Sequence, residues 1–266
     1  MSLYDKESPR YLFESLNSLK VQSKPLKELV LVLDGAINDE LQNVVDKFID
    51  DIPVEIVQLE KNRGLSEALN IGLRHCSNDW VVRMDTDDVC YPERLEKLSE
   101  FISANPKKDI VGSFAKKIDE DGDIGDVIEV PTSSDKIREL VWTCPMIHPT
   151  VCFKKDKILD VGGYDSNAGP RQDDYDLWFR CVKAGLTFSN IPEPLLYYRF
   201  TDENIKKNNI KVGYYRFKVG YNGLREVGGS PIAYVGIFIP FIRALLPYPL
   251  NVWMYKALEK FHPRKS

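Results

Sequence analysis

Residues 80–88 read Trp80-Val81-Val82-Arg83-Met84-Asp85-Thr86-Asp87-Asp88, an apolar run of strand length that stops on three acids within four residues. The same punctuation occurs twice upstream. Glu28 to Leu33 closes on Asp34-Gly35, and Val54 to Leu59 is trailed by Asn62-Arg63-Gly64. Helical periodicity fills the gaps between these strands. Leu41, Val44, Val45 and Phe48 fall at i, i+3, i+4 and i+7, and Leu65, Ala68, Leu69, Gly72 and Leu73 give the next apolar face. Residues 92–101 read as a further helix after Asp88. Ahead of the first strand, Ser8 can cap a helix with Pro9 at its first position and Leu12, Leu16 and Leu19 on one side. Strand and helix alternating at this spacing predict a Rossmann-like α/β fold, its central sheet mostly parallel, with right-handed crossovers and flanking helices. Open sheets of this kind bind ligands beyond the carboxyl ends of their strands, where the polar residues of all three segments fall. Singly, each has an ordinary structural reading as a turn, a loop or a helix start. Three on one sheet edge point to a nucleotide site.

Downstream of Phe101 the pattern changes. Residues 110–115 and 150–153 read as strands, with Asp119-Glu120-Asp121-Gly122 as a solvated hairpin tip. Gly162-Gly163-Tyr164-Asp165 is a loop, and Asp173-Asp174 precede a helix from Tyr175 to Ala184 that is capped by Gly185. Trp178 and Phe179 sit at helical spacing and read as core. His148 stands between Pro145-Met146-Ile147 and Pro149, either as a substrate contact or as a hydrogen-bonder of the loop.

Composition narrows the function. The chain has 266 residues, 43% hydrophobic and 29% charged, with a formal net charge of −4, which excludes a nucleic-acid binder driven by bulk electrostatics. Five cysteines without CxxC spacing and three histidines exclude a disulfide scaffold and argue against a zinc finger. Met1 runs into Asp5-Lys6-Glu7 with no apolar leader, so a reducing cytoplasm is the expected setting. The charge is uneven. Residues 205–266 carry eleven Lys/Arg against two acids, a net of +9, which leaves −13 on residues 1–204. An acidic body suits a cation, and a basic tail suits an anionic surface.

Carboxylates packed as tightly as Asp85, Asp87 and Asp88 repel one another and raise one another's pKa. A divalent cation with oxygen ligands relieves the conflict, and Mg²⁺ or Mn²⁺ fits carboxylates better than zinc does. The motifs in order are Met1-Ser2-Leu3-Tyr4, Asp34-Gly35, Asn62 to Asn70, and Asp85-Thr86-Asp87-Asp88. They continue with Gly162-Gly163-Tyr164, Asp173-Asp174-Tyr175-Asp176-Leu177-Trp178, and Tyr197-Tyr198-Arg199. Together they resemble the family 2 glycosyltransferases of GT-A fold, most closely the bacterial surface-polysaccharide branch, over roughly residues 1–200.

The resemblance implies a hexosyltransferase-type enzyme and assigns roles. Ser2, Tyr4, Glu7, Asn62, Arg63, Gly64 and Thr86 would line the nucleotide-sugar site. Asp34 would accept the N3 proton of a uracil ring, a task for an acceptor-only carboxylate. Asp85 would face the ribose or the metal, and Asp87 would hold Mn²⁺ or Mg²⁺ against the diphosphate. Asp174, with Asp173 beside it, would supply the general base. One base opposite the leaving group implies a single displacement with inversion. The first strand is expected to be shortened at Met1, and Phe200-Thr201 stand where some relatives place a histidine ligand. The implied organisation is a catalytic domain over 1–202, with a nucleotide-binding half (1–100) and an acceptor-binding half (101–202), followed by a helical tail over 203–266.

Two rivals come from other classes. A haloacid-dehalogenase-like phosphatase also uses Asp-x-Asp after a strand, but after its first, whereas Asp85 follows at least the third. A non-catalytic sugar-nucleotide-binding protein at the membrane would not need the intact acid set. In the tail, Ile232 to Leu246 is apolar but broken by Pro240 and Arg243, too short to span a bilayer. Lys206, Lys207, Lys211, Arg216, Lys218 and Arg225 precede it, and Lys256, Lys260, Arg264 and Lys265 follow. That pattern predicts peripheral attachment to the anionic inner face of the cell membrane, close to a saccharide or lipid-linked saccharide acceptor. A hairpin packed on the body, or an oligomer contact, is the alternative.

Overall fold

The computed structural model describes residues 1–201 and 209–259. The first half alternates as the periodicity predicts. Strands β1 (Ser2–Leu3), β2 (Leu29–Leu33) and β3 (Val54–Gln58) form a parallel sheet in that order, linked by helices α1 (Pro9–Lys20) and α2 (Asp39–Phe48). Ser8 caps α1 by accepting the Tyr11 N–H, and Leu12, Leu16 and Leu19 are buried. Asn38 caps α2 through the Leu41 N–H, and the four residues singled out on that helix are all buried. Every residue of β2 is buried, as befits a central parallel strand. Helix α3 (Leu65–His75) follows Gly64, whose φ of 87° lies in the left-handed region open to glycine.

The second sheet contains β4 (Trp80–Val82), β5 (Val89–Cys90), β6 (Ile110–Ile118), β7 (Ile124–Ile128), β8 (Cys152–Lys154) and β9 (Phe188–Arg199). Parallel pairing here is limited to β6 with β9, and every other pair is antiparallel. For β6 and β7 the reason is local: they are joined by a tight turn in which Asp119 Oδ1 accepts the N–H groups of Asp121 and Asp123, and a connection that short can serve only antiparallel neighbours. The sheet is flanked by α4 (Arg94–Ala104), α5 (Ser134–Glu139), α6 (Lys155–Asp160) and α7 (Asp173–Lys183). The two halves share a core: Leu3, Leu12 and Leu31 belong to one buried cluster with Ala115, Val130, Ile147 and Leu196.

The tail is helical as expected, comprising α8 (Ile210–Val227), α9 (Pro231–Gly236), α10 (Ile239–Leu245) and α11 (Tyr248–Glu259). It is built into the body. Leu224, Ala233 and Ile237 join the core cluster that holds Trp178, Phe188 and Tyr175. Small residues allow the close approach. A Cβ on Gly220 would lie 2.7 Å from Tyr175 Oη, and one on Gly213 would lie 3.0 Å from Ala244 Cβ. Lys206, Lys207, Lys260, Arg264 and Lys265, and the 202/203 boundary, lie outside the described residues.

Candidate active site

The strand-end acids converge. Asp85, Asp87 and Asp88 each present an oxygen within 4.8 Å of the others'. Asp88 is fully buried; its Oδ1 accepts the Arg199 N–H at 2.8 Å, and its Oδ2 has no partner among the described residues. Burial, together with the charges of Asp87 and Asp85, pushes its carboxyl well above the usual range. Burial, then the charge of Asp85, raises Asp87 to about 6. The unpartnered Asp88 oxygen next to the raised Asp87 carboxyl is a donor set that would suit a hard divalent cation, whose charge would reverse both shifts.

Two arginines brace this cluster. Arg199 donates from Nε to the Asp87 carbonyl at 2.8 Å, from Nη1 to the Asp119 carbonyl at 2.7 Å and from Nη2 to Glu14 at 2.6 Å. Arg83, on the strand floor, pairs with Asp85 through Nη2, while its Nε and Nη1 are buried with no partner among the described residues. Neither arginine was assigned a role from sequence. A cation inside the apolar run 80–84 was the available signal, because arginine is almost never fully buried unless paired.

Asp34 binds two strand ends together. It is 3% exposed, and its oxygens accept the Arg63 N–H at 2.6 Å and the Gly64 N–H at 2.9 Å. Gly35, at φ 91°, has no room for a side chain, since a Cβ would stand 2.7 Å from Asn62 N. Asn62 and Arg63 are exposed on this loop, and Tyr4 and Glu7 lie just past β1, where the Glu7 N–H donates to the Tyr4 carbonyl at 3.1 Å. Ser2 lies within β1, paired opposite Val32. Thr86 is buried between Asp85 and Asp87.

The second acid pair sits at the N-terminus of α7. Asp173 is hydrogen-bonded by the Ser66 hydroxyl of α3, and burial pushes its carboxyl up. Asp174 accepts the Tyr175 N–H on Oδ1 at 2.8 Å, and its Oδ2 lies 3.3 Å from the Cys144 thiol. Cys144 is another residue the sequence reading left without a role; it is held at φ 60° after the 3₁₀ turn Val141–Thr143. His148 is buried, with Nε2 2.9 Å from the Tyr164 hydroxyl. Asn70 clasps the Gly162-Gly163-Tyr164 loop from both sides, accepting the Tyr164 N–H and donating to its carbonyl.

A cleft of about 540 Å³ brings Asp85, Arg83, His148, Asp173 and Asp174 together. Leu65, expected on the buried face of α3, instead lines this cleft and is 39% exposed. Ser2, Tyr4, Glu7, Asp34, Asn62, Arg63, Gly64, Thr86 and Asp87 are not among its lining residues. Asp87 adjoins it through Asp85, and the Asp34 loop adjoins it through Leu65. The far wall belongs to the tail: Val212, Gly213, Arg216, Pro240, Arg243, Ala244, Asn251 and Leu258 all face the cleft.

Against known proteins, the family described as Glycosyl transferase family 2 matches residues 1–163. The amylovoran biosynthesis glycosyltransferase AmsE of Erwinia amylovora is 36% identical over 267 residues, covering 98% of each chain. An Escherichia coli protein named UDP-Gal:alpha-D-GlcNAc-diphosphoundecaprenol beta-1,3-galactosyltransferase is 32% identical over 267 residues, covering 97% of this chain and 94% of its own. Among solved structures, S. aureus TarS 1–349 in complex with UDP-GlcNAc superposes with a TM-score of 0.68 at 18% identity, over 91% of this chain and 71% of that one.

Proposed function

The chain belongs to glycosyltransferase family 2 and is a sugar-transferring enzyme, and from that premise we propose that it inverts a UDP-sugar onto a lipid-linked saccharide with the help of Mn²⁺ or Mg²⁺. The observation that carries the reading is the acid cluster at the end of β4, with its unpartnered buried oxygen, opening onto the cleft that holds the Asp173-Asp174 pair.

Asp87 and Asp85 would hold the ion, which supplies Lewis-acid stabilisation of the departing diphosphate. Asp34 keeps lone pairs beyond those given to Arg63 and Gly64, and one of them would accept a hydrogen bond from the uracil N3–H. The exposed Asn62-Arg63-Gly64 loop, with Ser2, Tyr4 and Glu7, frames the base. Asp174 accepts the proton of the attacking hydroxyl as the oxocarbenium-like centre forms. Arg83 fixes Asp85 from beneath, and Arg199 fixes Asp87 and Asp88 from the side. The donor reading is supported by the UDP-sugar in one relative's name and by the ligand of the TarS complex; the acceptor reading is supported by the diphosphoundecaprenol in the same relative's name. Among the described residues no helix is long and apolar enough to cross a membrane. We assign the exposed apolar face of α9–α11 to peripheral contact with the inner leaflet, with the catalytic domain on the cytoplasmic side.

Calorimetry with UDP and Mn²⁺, read beside radiolabelled transfer from UDP-sugars to membrane lipid extracts, tests the assignment. Asp87→Ala should abolish metal-dependent UDP binding with an unchanged melting profile. Full affinity in the variant would remove Asp87 from the site.

A further inference from the structure

Building on the proposed transfer to a lipid-linked acceptor, we infer that the C-terminal helices furnish an anion subsite for the acceptor's own diphosphate, with Arg216 and Arg243 as its two forks. The cleft is lined by charges of both signs. Asp85, Glu129, Asp173 and Asp174 are its acids, and besides Arg83, which pairs with Asp85, Lys117 of β6, Arg171 of the loop before α7, Arg216 of α8 and Arg243 of α10 bring four further cations to the same space from four separate elements. A neutral saccharide needs acids and amides, not four cations. Two of the four, Arg216 and Arg243, come from the tail, whose net charge over residues 205–266 is +9, and this concentration of positive charge matches an anionic ligand.

The two tail arginines are held in place. The Arg216 guanidinium lies 4.5 Å over the Tyr175 ring, and its Nη2 reaches the Thr143 carbonyl at 3.4 Å. Arg243 donates from Nε to Asn251 Oδ1 at 3.0 Å, and Asn251 is itself 7% exposed. Gly213, one turn before Arg216, lets α8 lie against α10, which brings both arginines to one wall. Arg171 is held at φ 60°, a conformation that residues with a side chain rarely adopt. Guanidinium groups braced in this way are preorganised for bidentate contact with phosphate oxygens. The same helices turn apolar side chains outward, Ile232 and Val235 from α9 and Ile242 and Leu245 from α10. An acceptor would therefore meet acids at its sugar, arginines at its diphosphate and an apolar face where its lipid begins. With the donor's diphosphate assigned to Asp87, a second anion is the ligand that the tail arginines would suit.

The test is calorimetry on the full chain saturated with UDP, with Mn²⁺ in excess of both phosphate ligands, titrated with undecyl diphosphate. One additional site is expected. Arg243→Gln and Arg216→Gln should each weaken it by roughly tenfold to a hundredfold while UDP affinity stays unchanged. Should Arg216→Gln unfold through loss of its stacking on Tyr175, Arg243→Gln carries the measurement. Competition between undecyl diphosphate and UDP for a single site, or undiminished binding by Arg243→Gln, overturns the inference. So does displacement of undecyl diphosphate at equal affinity by dihexanoylphosphatidylglycerol, which would assign the cations to a phospholipid headgroup. Failure of sugar transfer with this second site intact would count against the transferase mechanism, not against the subsite.

Discussion

Among single residues, His148 makes the sharpest statement about pH. Its burial, and after that the charge of Arg83, push its pKa well below the usual value, so it is neutral in the fold. In the unfolded chain a histidine takes up its proton near 6.5. Below that pH unfolding therefore gains a proton, and stability falls as pH drops, by up to about 1.4 kcal/mol per unit from this group. His148→Asn should flatten the loss of melting temperature between pH 7 and 5. The raised carboxyls of Asp87 and Asp88 act in the opposite direction but are common to both proteins, so the difference between the two curves belongs to His148. Identical curves would mean that the folded protein does protonate it. The acid pair separates by chemistry. Asp174→Asn should keep UDP binding and lose transfer by about 10²-fold or more, because an amide cannot take the acceptor's proton. Asp173→Asn, whose partner is the Ser66 hydroxyl, should lose less. The reverse order would exchange their roles.

At the scale of elements, α8 and α9 behave as core. Leu224 is 1% exposed within the cluster of Trp178 and Tyr175, so Leu224→Ala should destabilise the whole protein by about 2–5 kcal/mol, measured by urea unfolding. Two separate transitions, with only the tail affected, would show instead that the helices fold apart from the body. This coupling also explains what the sequence could and could not reveal. Caps and periodicity marked α1 and α7, and periodicity alone marked α2, because Ser8, Gly185 and the spaced apolar residues act within one or two turns of chain. The strand ends were equally visible, since Asp34, Asp85 and Asp87 interrupt runs of buried side chains. The direction of β8, the exposure of Leu65 and the thiol of Cys144 beside Asp174 depend on pairings between distant segments, which local pattern does not encode. The tail's basic charge was legible, whereas its place as a wall of the cleft depends on Gly213, Gly220 and Gly223 meeting Ala244, Tyr175 and Phe179.

Across the whole molecule, the C-terminal helices have two working faces, and the outer one is uncovered among the described residues. Ile232 is 73% exposed, Val235 and Trp253 are each 69%, and Ile242, Leu245 and Leu250 are about half exposed. The exposed positions 232 and 235 of α9, 238 in the turn that follows, and 242 and 245 of α10 recur every three or four residues. Exposed apolar residues of this kind, on the most basic part of an otherwise acidic chain, fit shallow insertion into an anionic leaflet. Deleting the tail is a poor test, because Leu224, Ala233 and Ile237 would be stripped from the core with it. Ile232→Ser combined with Val235→Ser leaves that core alone and should change stability by only about 0.5 kcal/mol. The native chain should float with phosphatidylglycerol vesicles at low salt and be released as ionic strength rises, whereas the double variant should stay at the bottom of the gradient under both conditions. Flotation of the variant equal to that of the native chain, or a native sedimentation coefficient that reports a dimer which the variant loses, would assign these residues to a second copy of the chain and not to lipid.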